Sequence, residues 1–393
     1  MATPLAIHNL ISGGWRTILS IVGISIAIVL IFMQLGFLGA VTDTAVVFYD
    51  KMKFDLVACC PDYYNFVDCG QFDSQHLALL KSVKGIKTVQ PIHVSLGKWN
   101  YEAREVQRGM LIIGIDPIGV TFTEAELNST IPLIEDRRSI LVDKSSRPRF
   151  LGENNKQPFG DEQLGLEIEL NGVTGKIGGL FKIGTGLASD GATIVHQEHF
   201  YEIVPGYSSQ LVSLGLIQLE PGFDPEVVQK EILERFKRTG ASETATPIDI
   251  VTRQGLEQRE ISYWRKETPI GFIFMAGALV AFCVGAIIVY IVLSADITKQ
   301  IGEYATLKAM GYRNLYLNKT VLEQAFILAT ASYVCALIMS LVLYQIVGNV
   351  ANLPITMNWE RMGFVFGSSI LMSFISAMIA LQKLRKADPA DLF

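Results

Sequence analysis

The sequence is short of charge for its length. Of 393 residues only 33 are Lys or Arg and 38 Asp or Glu, while half are hydrophobic, an average too apolar for an ordinary cytosolic enzyme. Basic residues form no tract. With a net charge of −5 the chain lacks the clustered Lys and Arg on which nucleic-acid affinity rests, so no nucleic-acid partner is expected. Cysteine is also scarce, and the five present, two of them (Cys283 and Cys335) in apolar runs, are too few for a disulfide scaffold. Cys59, Cys60 and Cys69 form an odd trio that closes at most one bridge, Cys69 with Cys59 or Cys60, or else packs as free thiols.

The missing charge is concentrated. Residues 17–42, 268–295, 324–359 and 362–382 hold no Asp, Glu, Lys or Arg, which leaves about a quarter of the remainder charged, the ordinary density of soluble protein. The composition therefore describes a membrane protein carrying a globular domain. About 23 apolar residues in the first run suffice for a bilayer core of about 30 Å at a rise of about 1.5 Å each. That run is longer than the hydrophobic region of a cleavable signal peptide and reads as an uncleaved anchor. The sequence divides into an N-terminal segment 1–16, a span at 17–42, an α+β domain at 43–267, spans at 268–295, 319–348 and 363–382, a loop at 296–318, a turn at 349–362 and a tail at 383–393.

Short-loop basic residues set the expected orientation. Arg16, Lys299, Lys308, Arg313, Lys319, Lys383, Arg385 and Lys386 fall on one side of the four spans and only Arg361 on the other. Arg265 and Lys266, just beyond the second span, weaken the asymmetry without reversing it. Both termini and the 296–318 loop are expected in the cytoplasm, with 43–267 outside. Gly277, Ala281 and Gly285 on the second span, and Ser369, Ser373 and Ala377 on the fourth, recur every four residues. Small residues at that spacing let helices approach closely in lipid, as packing within one chain or as a homodimer seam. No charged side chain sits inside a span, and Gln34 is the most polar group at mid-membrane. Ion-coupled carriers place ionisable groups there, so that class is disfavoured.

In the 43–267 domain, residues 74–85 read as an amphipathic helix stopped by Gly85, and the strand that follows is expected to break at Pro91. Further strands are expected at 110–115, 139–142, 166–170, 173–181, 192–195, 211–219 and 247–252. Asp224 and Pro225 open a helix. Helical extensions at 43–53 and 253–266 are expected to carry the domain on a rigid stalk.

No stretch reads as a catalytic site. No G-x-x-x-x-G-K-[ST] phosphate loop occurs, so Ile11-Ser12-Gly13-Gly14-Trp15, which imitates an ATPase signature loop, has nothing to act with. His196 and His199 have metal-like spacing but no third ligand at matching distance, and read as surface residues after a strand. The glycine-rich stretch around Gly184 and Gly186 reads as a turn. No cofactor or metal is expected. The informative segment is 296–313, with Ile297, Ile301, Tyr304 and Ala305 on one helical side and Gly311 as a stop. It suits either an interfacial anchor in membrane lipid or docking to a soluble partner.

One span, a large domain, three further spans and Q-I-G-E-Y-A-T-L-K-A-M-G-Y after the second span together resemble the MacB/FtsX class of ABC transporter permeases. F-M-Q-L-G-F at 32–37, K-F-D-L-V at 53–57, E-Y-A-T-L-K-A-M-G-Y at 303–312 and K-A-D-P-A-D at 386–391 are similar to the DevC permeases of cyanobacteria. The resemblance implies a homodimeric, non-enzymatic permease in the inner membrane. Its implied partners are a separate DevA-like ATPase, a DevB-like membrane fusion protein and a TolC-like outer-membrane channel, and its implied cargo a glycolipid or another amphiphile. It also implies that Glu303, Tyr304, Lys308, Ala309, Met310, Gly311 and Tyr312 contact the ATPase. An FtsX-like regulator of a cell-wall hydrolase and a lipoprotein-release permease remain alternatives.

Overall fold

The computed structural model describes residues 14–101, 104–119, 122–151, 157–184, 186–187, 189–239, 247–303, 306, 310–312, 314–351 and 354–386. The chain divides into two compact units, Met1–Ala40 with Thr268–Phe393, and Val41–Glu267.

The first unit is built on four long helices: α1 (Trp15–Ala45), α8 (Pro269–Lys299), α9 (Asn314–Ala351) and α10 (Trp359–Lys386). All four are long and apolar enough to cross a membrane. Ile24, Ile28 and Phe32 of α1, Val289, Leu293 and Ile297 of α8, Val321 and Ala325 of α9, and Val365 and Met372 of α10 share one core. Hydroxyls stitch the helices together. Ser25 donates to the Ser332 carbonyl at 3.0 Å, Ser376 to Ala286 at 2.6 Å and Tyr333 to Met362 at 3.0 Å. Where apolar attraction does not favour a protein neighbour over lipid, such bonds and close packing hold helices together.

The second unit is α+β. Its first half is a β-α-β-β-α-β arrangement made of β1 (Leu56–Cys59), α3 (Gln75–Leu80), β3 (Ile86–Tyr101), β10 (Leu214–Leu219), α6 (Pro225–Thr239) and β11 (Asp249–Thr252). The strands pair antiparallel in the order β11, β1, β10, β3. β1 is buried along its whole length. Leu56 and Ala58 pack under α3 and α6 with Leu80, Ile232 and Ile250, whereas Val57 and Cys59 face the opposite core with Phe48, Tyr49 and Leu256. A strand covered on both faces reads as a continuous apolar run without alternation.

Between β3 and β10 the chain builds a distal lobe. Its elements are β4 (Arg104–Ile115), α4 (Ala125–Thr130), β5 (Ser139–Asp143), β6 (Glu167–Leu170), β7 (Val173–Phe181), β8 (Gly191–His196) and α5 (Gln197–Ile203). These strands extend the sheet to nine, in the order β11-β1-β10-β3-β4-β8-β5-β7-β6. A short pair, β2 (Phe72–Asp73) with β9 (Leu211–Val212), lies apart. Asn171 (φ 51°) and Gly172 (φ 84°) turn β6 into β7, the left-handed pair that a two-residue hairpin requires.

Several expectations need correction. The 74–85 helix ends at Leu80, and Gly85 (φ 87°) turns the chain a few residues later. β3 does not break at Pro91. Pro91 sits opposite Gly215 of β10, while pairing with β4 starts only at Ile92, so on one side the missing N–H has no strand to address. The stalk extensions are not continuous helices. After α1, a turn at Val46 (φ −98°, ψ 1°) precedes α2 (Val47–Lys51). The returning stretch forms α7 (Arg253–Ser262) and a π turn, Tyr263–Glu267, before Thr268 adopts extended backbone. His199 is buried at 2% exposure and His196 caps α5, its Nδ1 accepting from Glu198 N at 3.1 Å. Neither is a free surface residue, and no group of three potential metal ligands occurs among the described residues.

Candidate functional site

The segment after the second span is the first candidate. α8 runs on to Lys299, so Ile297 is buried at 1% in the helix-bundle core and does not begin a separate helix. It completes a stripe of Ala281, Gly285, Val289, Leu293 and Ile297 at fourfold spacing, all buried. The helix ends at Gln300 (φ −96°, ψ 11°). Glu303 is exposed, and Met310 and Tyr312 are 63% and 47% exposed. Gly311 adopts φ 91°, and a Cβ there would touch nothing within 4 Å. Tyr312 lies against Tyr316 with ring centroids 5.0 Å apart. Tyr304, Lys308 and Ala309 lie outside the described residues.

The small-residue seam of α8 faces helices of the same chain. A Cβ on Gly277 would come within 2.6 Å of Gln34 Cδ, and one on Gly285 within 3.1 Å of Ala27 Cβ and 3.2 Å of Met372 Cε. Ala281 between them is 4% exposed. On α10, Ser369, Ser373 and Ala377 are buried in the same bundle. Arg361 places its guanidinium carbon 5.8 Å from the Tyr344 ring centroid and donates to the Thr356 carbonyl.

The second candidate is in the inserted domain, where its two chain ends meet. Glu260 of α7 is 2% exposed. Its Oε2 accepts from the Tyr63 hydroxyl at 2.5 Å, the Phe66 amide at 2.9 Å and the Tyr49 hydroxyl at 3.1 Å, and its Oε1 from Trp264 Nε1 at 2.8 Å. The two tyrosine hydroxyls also touch each other. Burial raises the pKa of Glu260, opposed by these four donors, and burial pushes both tyrosines well above their usual value, which keeps them as donors. Taking a carboxylate out of water costs several kcal/mol unless its lone pairs are occupied, as they are here.

Two turns earlier on the same helix, Arg253 reaches the same segment. It donates to the Tyr49 carbonyl at 3.0 Å, Met52 at 3.4 Å and the Asp50 carboxylate at 3.3 Å, and its guanidinium carbon lies 5.3 Å from the Phe54 ring centroid. Beside Glu260 is a cavity of ≈ 20 Å³ bordered by Thr44, Phe48, Asn65, Phe66, Ser189 and Trp264, room for about one water. The Thr44 and Ser189 hydroxyls have no hydrogen-bond partner among the described residues.

Sequence reasoning passed over this cluster because RQGLEQREIS is mostly polar, with only Leu256 and Ile261 as large apolar residues. The available signal was position: Leu256 and Glu260, four apart, are the buried residues of α7, so Glu260 stands where an apolar side chain would be expected.

Residues 275–389 match the profile of the family described as FtsX-like permease C-terminal. The match spans most of α8 and all of α9 and α10. Solved structures similar to the chain include the periplasmic region of MacB from Actinobacillus actinomycetemcomitans, 11% identical over 53% of this chain and 94% of that one, TM-score 0.37. Another is the extracellular domain of the noncanonic ABC-type transporter YknZ from Gram-positive bacteria, 15% identical over 50% and 98%, TM-score 0.34. A domain of a putative permease protein from Porphyromonas gingivalis is 15% identical over 52% and 90%, TM-score 0.32. No curated protein sequence matches the chain.

Proposed function

We propose that this chain is the membrane subunit of a MacB/FtsX-class ABC exporter of the DevC type. The observation that carries the reading is the FtsX-like match at 275–389 on a chain whose helices are arranged as one span, an α+β insert and three spans. In this reading the termini are cytoplasmic, the insert is periplasmic and the chain works as a homodimer in the inner membrane. ATP is hydrolysed by a separate DevA-like subunit docked on Glu303, Tyr304, Lys308, Ala309, Met310, Gly311 and Tyr312. A DevB-like fusion protein and a TolC-like channel complete the path for a glycolipid or similar amphiphile. The charge-free spans support transmission of motion to the insert over passage of cargo through the helices.

Cysteine labelling from outside tests the orientation. Ile118, 91% exposed, and Met310, 63% exposed, are suitable probe sites; the expected result is reaction at 118 and protection at 310, and the converse overturns the reading. Copurification from native membranes should bring down an ATPase subunit. A close fit at Ala309 should matter more than exposed charge, since overpacking a contact costs roughly 1–3 kcal/mol and a surface ion pair contributes about 0–1 kcal/mol. Ala309→Trp is therefore expected to lower export and transport-stimulated ATP hydrolysis at unchanged abundance, and Lys308→Ala to be milder. Undiminished export by Ala309→Trp removes this segment as the ATPase contact.

A further inference from the structure

We propose that Glu260 is the pin of a brace that holds the two chain ends of the inserted domain at a fixed separation, so that they move as one mechanical piece. The inference concerns the domain itself and does not depend on which partners the chain has.

Three chain segments converge on this one carboxylate, the two that carry Tyr49 and Tyr63 lying about two hundred residues from the one that carries Glu260. Tyr49 comes from the segment that enters the domain, Tyr63 and the Phe66 amide from the loop after β1, and Trp264 with Glu260 itself from the segment that leaves it. A single side chain therefore ties the incoming to the outgoing segment directly and again through the loop. Arg253 makes a second tie between the same two segments. Seven residues separate Arg253 from Glu260 on one helix, which puts the ties about 10 Å apart along its axis. Two ties at different levels resist both separation and shear, where one alone would act as a pivot.

The ties differ in kind. Arg253 is half-exposed and its bonds are open to exchange with water. Glu260 is buried, and pulling it from its seat takes away at once the carboxylate to which the Tyr63 hydroxyl, the Phe66 amide and the Trp264 indole N–H donate, which is why a network of this sort yields as a unit. Aromatic packing backs the seat. Phe48 and Phe66 stack with centroids 4.9 Å apart, and Tyr49 meets Phe66 edge-on at 5.3 Å. The loop that carries Tyr63 is fixed by Asn65, whose Oδ1 accepts from the Val67 and Asp68 amides, each at 3.0 Å.

The experiment uses the full chain in nanodiscs with spin labels at Lys53 and Arg265, one exposed site on each segment. The wild type should give a narrow distance distribution. Glu260→Gln, which places an amide N–H among donors, should widen it. It should also accelerate amide exchange at 47–52 and 63–68 by roughly tenfold or more, while β5 and β7 in the distal lobe keep wild-type protection. Tyr63→Phe keeps the ring and removes one donor, and should give the same pattern more weakly even if Glu260→Gln does not fold. An unchanged distance width in whichever variant folds, or exchange that rises uniformly across the domain, overturns the brace.

Discussion

Gly36 of α1 is the surface on which the Tyr344 ring of α9 rests. A Cβ at Gly36 would lie 2.6 Å from Tyr344 Cζ and 2.9 Å from its Cε1, while the Tyr344 hydroxyl donates to the Phe32 carbonyl one turn earlier on α1. The glycine lets the ring reach the helix backbone, and the ring in turn carries the Arg361 guanidinium on its face.

This arrangement separates two glycines. At Gly36 the obstacle is an anchored ring, whereas at Gly39 it is the terminal nitrogen of Arg361, the end of a flexible side chain. Gly36→Ala is expected to lower thermal stability in detergent by about 1–3 kcal/mol, and Gly39→Ala by clearly less. Equal losses would show that the ring is free to move.

Gly311 gives a backbone test. With φ at 91° and open space around a Cβ, substitution there costs conformational strain and no clash. A β-branched residue is poorly tolerated at positive φ, and Asn better. Gly311→Val should reduce ATPase stimulation in the assembled complex, with Gly311→Asn closer to wild type. Identical behaviour of the two variants would mean that the turn is not needed in that conformation.

Acid should destabilise the inserted domain through His93. It is 1% exposed, its Nε2 lies 3.0 Å from the Tyr201 hydroxyl, Phe200 and Tyr207 flank its ring, and burial lowers its pKa from 6.5 to about 4. The fold therefore favours the neutral ring, and the stability this gives is complete above 6.5 and lost as pH falls towards 4. The linked loss is on the order of 3 kcal/mol. His93→Gln should flatten the fall in melting temperature over that interval, and an unaltered slope would assign the acid sensitivity to other groups.

Cysteine reactivity should be graded. Burial pushes the thiols of Cys59 and Cys69 up to about 12, whereas Cys60 is half-buried. Thiolate is the reactive form, so iodoacetamide on the native protein at pH 8 should modify Cys60 well before Cys59 or Cys69, read by peptide mass. Early modification of Cys69 would mean that the 60–69 loop opens.

Sequence periodicity disclosed the elements whose burial follows one simple pattern. The four spans and β8 were visible as unbroken apolar runs, and β7 and the Pro225 helix because buried and exposed residues alternate along them with the period of a strand and of a helix. β1 was not, since a four-residue apolar run covered on both faces has no period to detect. β3 was misjudged at Pro91 because the exemption depends on where its neighbour begins to pair. Glu260 was hidden for a stronger reason: Tyr49 and Tyr63 lie about two hundred residues away, and only the fold brings them to one carboxylate. Of the segment after the second span, the turn glycine was legible in the sequence, whereas the absorption of Ile297 into α8 was not, because a helical period does not say where one helix ends and the next begins.

The pairing of β1 with β11, Leu56 opposite Thr252 and Cys59 opposite Asp249, makes the first and last strands of the insert neighbours. The lobe between β3 and β10 leaves from and returns to strands that are themselves paired, so its length and shape are not constrained by the spacing of the chain ends. Such a lobe can be exchanged or enlarged while its mounting stays the same. The outline of the lobe and the anchoring of the domain are thus separable traits, open to change one at a time.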